Sequence, residues 1–261
     1  MGHLPEFKTL LVGLHGQSLH VTLNRPETLN AFTEDMFTEI AQIARMASGS
    51  SHIRLVVFKG AGRAFSSGAD LGHISEGRKE ISKDVFVERI KAAQRVFDQV
   101  EAIPGPTVAA INGHALGAGL QLALACDFRI AAKGVKMGLS DVRIGIIPAL
   151  GATTRLPKLI GLARSKELIL SGDLIDSERA YKIGLVSELV EKESLDRAVE
   201  KLSEKLLSRA PLALSFAKEL LNSQASLDRV AEAQSDLFKT EDAVEGITAF
   251  LEKRPPTFKG I

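Results

Sequence analysis

Three glycines, Gly113, Gly117 and Gly119, punctuate residues 111–127, a stretch that begins like a strand and ends like an apolar helix. A helix that opens on such a loop leaves its first backbone N–H groups without partners, and its dipole favours negative charge there. An anion, or an oxygen on its way to becoming one, fits that position. The spacing is not a clean GxGxxG and no unambiguous ribose-binding acid lies ~20 residues on, so a dinucleotide reading is set aside. A second glycine- and serine-rich segment, residues 63–71, also follows a strand-like run, and its small side chains let a ligand approach the backbone closely. Either loop alone reads as an ordinary structural turn. Together they favour an oxyanion hole, with the second loop as a source of a second N–H. His73 and His114 are candidate bases, since histidine as a residue type titrates near neutrality, although a lone loop histidine is usually just solvated.

The elements that carry these loops follow from periodicity. Apolar runs at residues 10–14 and 19–23 flank His15-Gly16-Gln17 and predict a hairpin. Thr33 stands as an N-cap before Glu34 and Asp35, and Met36, Phe37, Ile40, Ile43 and Ala44 recur at helical spacing to about Ala47. Residues 53–58 form a compact β run that ends at Gly60. Residues 84–102 predict a helix stopped by Pro104 and Pro106, and residues 107–111 a buried strand. Strands alternating with helices indicate right-handed crossovers and a mainly parallel sheet, hence the α/β class. From about Ser194 the pattern is helical, with Pro211 at a helix start and Pro255-Pro256 closing the last helix. The expected organisation is a core at 1–193 and a helical region at 194–261.

The bulk properties bound the function. A chain of 261 residues with 45% hydrophobic and 25% charged residues can bury a sizeable core, which excludes a disordered or disulfide-built protein. A single Cys126 in an apolar setting fits a reducing compartment, and the cytoplasm is the expected location. The N-terminus lacks a signal-peptide pattern, and no run approaches the ~18 apolar residues of a membrane span. A formal charge of +1, with both signs intermixed, gives no global field for nucleic acid or membrane. Any anion must be held by local groups.

Six segments, 24–31 (NRPETLNA), 64–70 (AFSSGAD), 109–119 (AAINGHALGAG), 126–131 (CDFRIA), 145–148 (GIIP) and 250–255 (FLEKRP), resemble the enoyl-CoA hydratase/isomerase (crotonase) family in order. The resemblance runs from about residue 8 to the C-terminus. It implies a spiral of β-β-α units with a C-terminal helical trimerisation region, assembled as a homotrimer or a dimer of trimers. It also implies an acyl-CoA thioester substrate, no cofactor beyond the coenzyme A moiety of that substrate, and no metal. By the same resemblance the backbone amides of Ala69 and Ala118 form the oxyanion hole. Arg25, Leu29, Ser67 and Ala69 line the nucleotide end of coenzyme A, with Phe250 and Lys253 reaching it from a neighbouring subunit. Glu27 stands where a phosphate-binding lysine is common.

The two glutamates of the family's hydratases match Gln121 and Asp141 here. An amide has no useful basicity, so one acid/base group is missing and the two-carboxylate hydration mechanism is in doubt. Isomerases resembling this family often keep one acid, at the position of Asp141. The expected function is therefore an isomerase-type proton shuttle by Asp141 on a thioester enolate, with an atypical Gln121/Asp141 hydratase as the alternative. The bland alternative for Asp141 is a turn cap or a pair with Arg143, and Asp70 and Asp127 read as structural. Leu150 and Ala152 replace family glycines and are expected to alter the pocket wall. A non-catalytic acyl-CoA-binding or RNA-binding relative is a third reading; residues 34–47 contain Arg45 as their only basic residue, which argues against RNA.

Overall fold

The computed structural model describes residues 4–72 and 81–261. Strands β1 (Leu10–His15) and β2 (Ser18–Leu23) pair antiparallel in the expected hairpin. Helix α1 (Glu34–Ser48) begins where Thr33 caps it, its hydroxyl accepting from Met36 N at 3.3 Å. The helical spacing buries Met36, Ile40, Ile43, Ala44 and Ala47 on one face. Strand β3 (Leu55–Gly60) returns parallel to β2, starting two residues later than the sequence pattern suggests.

Three turns of a spiral follow, each built from a long strand and a short one. Strand β3 leads to β4 (Ala64–Ser66), β5 (Thr107–Ile111) to β6 (His114–Leu116), and β7 (Phe128–Ala132) to β8 (Lys136–Gly138). Helix α2 (Lys83–Glu101) separates the first turn from the second, and α3 (Ala118–Ala125) the second from the third. A short 3-10 turn, Ser140–Ile144, then precedes α4 (Ala152–Ser171), which kinks at Gly161, where φ is 78°. Next come β9 (Leu174–Asp176), α5 (Ser177–Lys182) and β10 (Glu188–Val190).

The long strands form a six-stranded sheet in the order β1-β2-β3-β5-β7-β10, and the short ones a four-stranded sheet in the order β4-β6-β8-β9. The first is parallel except at the hairpin. The second sheet exists because the chain turns sharply at the end of each long strand, and glycine makes that possible. A Cβ on Gly60 would sit 2.1 Å from the Ala64 carbonyl oxygen, and one on Gly113 would sit 2.1 Å from that of Arg63. Helix α3 is buried on every side, and Phe32, Phe37 and Phe97 lock α1 and α2 together with ring centroids 5.1–5.8 Å apart.

The C-terminal part is helical, as expected: α6 (Leu195–Leu207), α7 (Pro211–Ser223), α8 (Leu227–Phe238) and α9 (Glu241–Glu252). Helix α6 lies on the long sheet, with Leu195 and Val199 packed against Leu55, Val57, Val108 and Ile130. The last three helices bury little; Ala233 and Ala249 are their buried apolar residues. Among the described residues no helix is long and apolar enough to cross a membrane.

Because the Gly113 contact is backbone against backbone, it has no side chain that can swing aside. Gly113→Ala is expected to destabilise the protein by about 1–3 kcal/mol or more. Denaturant or thermal melts of wild type and variant check this, and an unchanged midpoint would contradict the close approach.

Candidate active site

The loop after β4 is held open by buried polar side chains. Asn30 adopts a left-handed conformation (φ 58°), which asparagine tolerates better than most residues. Its Nδ2 donates to the carbonyls of Ala61 and Ala64, both at 2.9 Å, and its Oδ1 accepts from Arg25 N at 2.9 Å. The Ser66 hydroxyl donates to the Asn30 carbonyl at 2.8 Å and accepts from Gly68 N at 3.1 Å. Phe32 N donates to Gly68 O (2.8 Å) and Asp70 N to Phe32 O (3.0 Å), closing a parallel bridge between Phe32 and Ala69. In a parallel bridge of this register the central residue's own N–H takes no part. The Ala69 amide is thereby turned away from Phe32.

The second donor comes from the start of α3. Gly117 N donates to Gly138 O at 3.0 Å, and Gly117 holds φ 47°, ψ −119°, a combination natural only to glycine. Ala118 is then the first helical residue, whose N–H has no intrahelical acceptor. The two loops touch: a Cβ on Gly68 would lie 3.2 Å from Leu116 O and 3.5 Å from Ala118 N. One on Gly119 would lie 2.5 Å from the Ser66 side chain, so the helix can approach β4 only without it. Two amides left over by their elements are thus brought side by side.

Asp141 stands three residues beyond Gly138, which is itself bonded to Gly117, so its Cα lies within ~10 Å of Gly138 by chain length alone. The residue is half-buried, its Oδ2 is enclosed, and that oxygen has no hydrogen-bond partner. Burial raises its pKa above the ordinary aspartate value, and the opposing contribution from its own backbone N–H is the smaller. An ion pair with Arg143 is not found among the described residues.

Gln121 is buried, and its side-chain oxygen accepts from Leu150 N at 2.7 Å and Ala152 N at 3.3 Å. The same loop is held by Gln94, which donates to Ala149 O, and by Arg155, which donates to Leu150 O and pairs with Asp98 and Glu101. Leu150 and Ala152, expected from the resemblance to stand in place of glycines, are both buried. Glycine is retained at Gly151, where φ is 101°.

The structure also gathers Arg25, Leu29, Ser67 and Ala69 around one turn, with Ser67 N donating to Leu29 O at 2.9 Å. The Arg25 guanidinium donates to Ala31 O at 2.7 Å and pairs with Asp70 at 3.3 Å. Phe250 and Lys253 are exposed near the end of α9, with no hydrogen bond or ion pair to residues 25–70 among the described residues. His114 is exposed and its Nδ1 accepts from Lys136 N at 2.9 Å, while His73 lies outside the described residues. Asp127 bonds Thr107 and pairs with Lys218 at 2.7 Å, the structural role expected of it. Burial pushes the Cys126 thiol up to about 12, so it is inert at neutral pH. Asn30 and Ser66 lie inside resembling segments, but nothing in their spacing marks them as the pins of the loop.

Free backbone amides can stabilise a developing enolate, and a carboxylate with an unpartnered oxygen can move a proton. The model of the family described as enoyl-CoA hydratase/isomerase matches residues 16–261. This chain belongs to that family. It is 37% identical to a crotonyl-CoA hydratase of Syntrophomonas wolfei over 90% of this chain and 92% of that one. It is also 34% identical to an enoyl-CoA isomerase/hydratase of Mycosarcoma maydis, over 98% and 96%. An enoyl-CoA hydratase structure from Bacillus anthracis superposes with a TM-score of 0.90 at 35% identity, covering 97% of this chain and 100% of that one. The crotonase fold of these enzymes is the fold of this protein.

The raised pKa of Asp141 has a consequence for stability. Below the ordinary aspartate range the carboxyl is neutral in both folded and unfolded states and burial costs no charge; as pH rises through that range, the unfolded state ionises first and stability is lost. Asp141→Asn is expected to gain stability over wild type above about pH 4 and to lose that advantage below it. Melts across pH 3–8 read the difference; an advantage independent of pH would contradict an uncompensated charge.

Proposed function

We propose that this enzyme isomerises an enoyl-CoA thioester, with Asp141 as its single acid/base. The observation that carries the reading is the enclosed, unpartnered Oδ2 of Asp141, three residues beyond the Gly138 carbonyl that accepts from Gly117 N at the start of α3. In the proposed cycle the Asp141 carboxylate takes a proton from C2 of a 3-enoyl thioester. The electron pair delocalises over C2–C4 and onto the thioester oxygen, which the two N–H groups hold. Asp141 then returns the proton to C4, leaving the double bond between C2 and C3. One carboxylate suffices because it is regenerated in its starting form. Burial strengthens it as a base, since a raised pKa means a tighter grip on the proton. Each donor to the developing oxyanion is worth about 3 kcal/mol of transition-state stabilisation.

Hydration is the second reading, favoured by the names of relatives such as the crotonyl-CoA hydratase. There Asp141 alone would take a proton from water as its oxygen bonds to C3, and deliver a proton to C2. Gln121 offers no base for that step, and its oxygen is already engaged. Coenzyme A contacts by Arg25, Leu29, Ser67, Phe250 and Lys253 belong to the same proposal, with Arg25 serving first to shape the turn through Ala31 and Asp70.

A homotrimer or dimer of trimers through residues 194–261 is also part of the reading. Large apolar side chains on α8 and α9 are exposed, among them Phe238, Val244, Ile247, Phe250 and Leu251. A row of this kind on a soluble chain is suited to a second copy.

Two experiments test these statements. With a 3-enoyl-CoA and crotonyl-CoA as substrates, conjugated-thioester absorbance is expected to rise with the first much faster than it falls with the second. Asp141→Asn is expected to cost about 10²–10⁴ in the isomerisation rate. Rapid hydration of crotonyl-CoA that depends on Asp141 would defeat the isomerase reading. Light scattering is expected to give a multiple of three chains for wild type and a smaller mass for Ile247→Glu/Leu251→Glu; a wild-type monomer would end the assembly proposal.

A further inference from the structure

Gln121 is more than the place where a carboxylate is missing. Its Oε1 accepts from two backbone amides, Leu150 N and Ala152 N, which settles which end of the side-chain amide is oxygen. Oε1 is therefore spent on the loop. The Nε2 group carries two N–H donors and finds no acceptor among the described residues. The fully enclosed, unpaired side-chain atoms among those residues belong to Ser18, Arg54 and Asp141, so the Gln121 nitrogen opens onto accessible space although the residue is 2% exposed.

That space can be placed. Gln121 follows Ala118 by three positions in the same helix, so the two share a face about 4.5 Å apart along the axis. Side chains on a helix lean toward its N-terminus, which carries the Gln121 amide back over Ala118. A thioester whose carbonyl rests on Ala69 and Ala118 would send its acyl chain past this group.

We propose that Gln121 is a specificity-determining residue that donates from Nε2 to an oxygen on the acyl chain at C3 or C4. The site would then prefer acyl-CoA thioesters bearing a carbonyl or hydroxyl there over plain alkyl ones. The inference rests on the paired amides holding the thioester, and does not depend on which reaction Asp141 performs. A glutamate at this position would hold Leu150 and Ala152 equally well, because a carboxylate also accepts from both amides. It would present an acceptor, not a donor, to the chain. The glutamine therefore has a function the loop alone does not require.

The test compares two saturated, unreactive thioesters of equal chain length, 4-oxopentanoyl-CoA and pentanoyl-CoA, by calorimetric titration. The ketone accepts hydrogen bonds and donates none, so it isolates the proposed contact. Wild type is expected to bind the oxo ligand about tenfold more tightly, the effect of one added hydrogen bond from Nε2. In Gln121→Glu, which keeps the loop contacts, that preference is expected to vanish or reverse. Equal affinities in wild type overturn the proposal without any variant, and a preference that survives Gln121→Glu assigns it to another group and overturns it too. If neither ligand binds, the thioester site itself is wrong and the proposal falls with it.

Discussion

The structure depends on two backbone segments being able to touch. Gly68 faces Leu116–Ala118, Gly113 faces Arg63 and Ala64, and Gly119 faces Ser66, each closely enough that a single added carbon would collide or crowd. These contacts bring the loop that carries Ala69 against the start of α3 at Ala118. The close packing is also what creates the second, short-stranded sheet, because each long strand must turn within a few residues into its short partner. The fold and the proposed oxyanion site thus rest on the same close contacts. A crevice that holds developing negative charge with amides needs no mobile side chain and little reorganisation as the charge appears.

Around that contact the protein spends polar side chains on geometry. Asn30 and Ser66 fix the first loop, Arg25 and Asp70 brace the turn beneath it, and Gln121, Gln94 and Arg155 tie down residues 149–152. Each is a buried or half-buried group; Asn30, Ser66, Gln94 and Gln121 bond to backbone, while Arg25 and Arg155 join a backbone carbonyl to carboxylates. Such contacts position loops more firmly than exposed ion pairs, which contribute little. Asp141 is the exception, since one of its oxygens is left without a partner.

Legibility from the sequence follows the range of the interactions. Helix α1 is readable because Thr33, the acidic first turn and the apolar spacing are all local; so is the hairpin, with Gly16 between its arms. The three-residue strands β6, β8 and β9 are not readable, since their pairing is decided by partners far along the chain. The two glycine loops suggest a place for an anion, and the family resemblance implies Ala69 and Ala118 as its donors. Neither reveals that Asn30 and Ser66 pin the loop, nor where the Gln121 oxygen goes. Those facts arise only when residues about thirty or more positions apart meet, as Gln121 and Leu150 do.

The unpaired oxygen of Asp141 ties these threads together. Asp127, by contrast, has its carboxylate engaged by the Thr107 N–H and hydroxyl and by the Lys218 ammonium. Burying Asp141 with one oxygen unsatisfied costs stability and raises its affinity for a proton, which suits the role of base proposed for it. The same reasoning separates it from Gln121. Two neighbouring carboxylates would perturb each other's titration; an amide at the second position removes that coupling and turns the group's free end into a donor. A site with one strained acid and one neutral donor is suited to shuttling a proton along a single acyl chain, whereas activating a water asks for two acceptors.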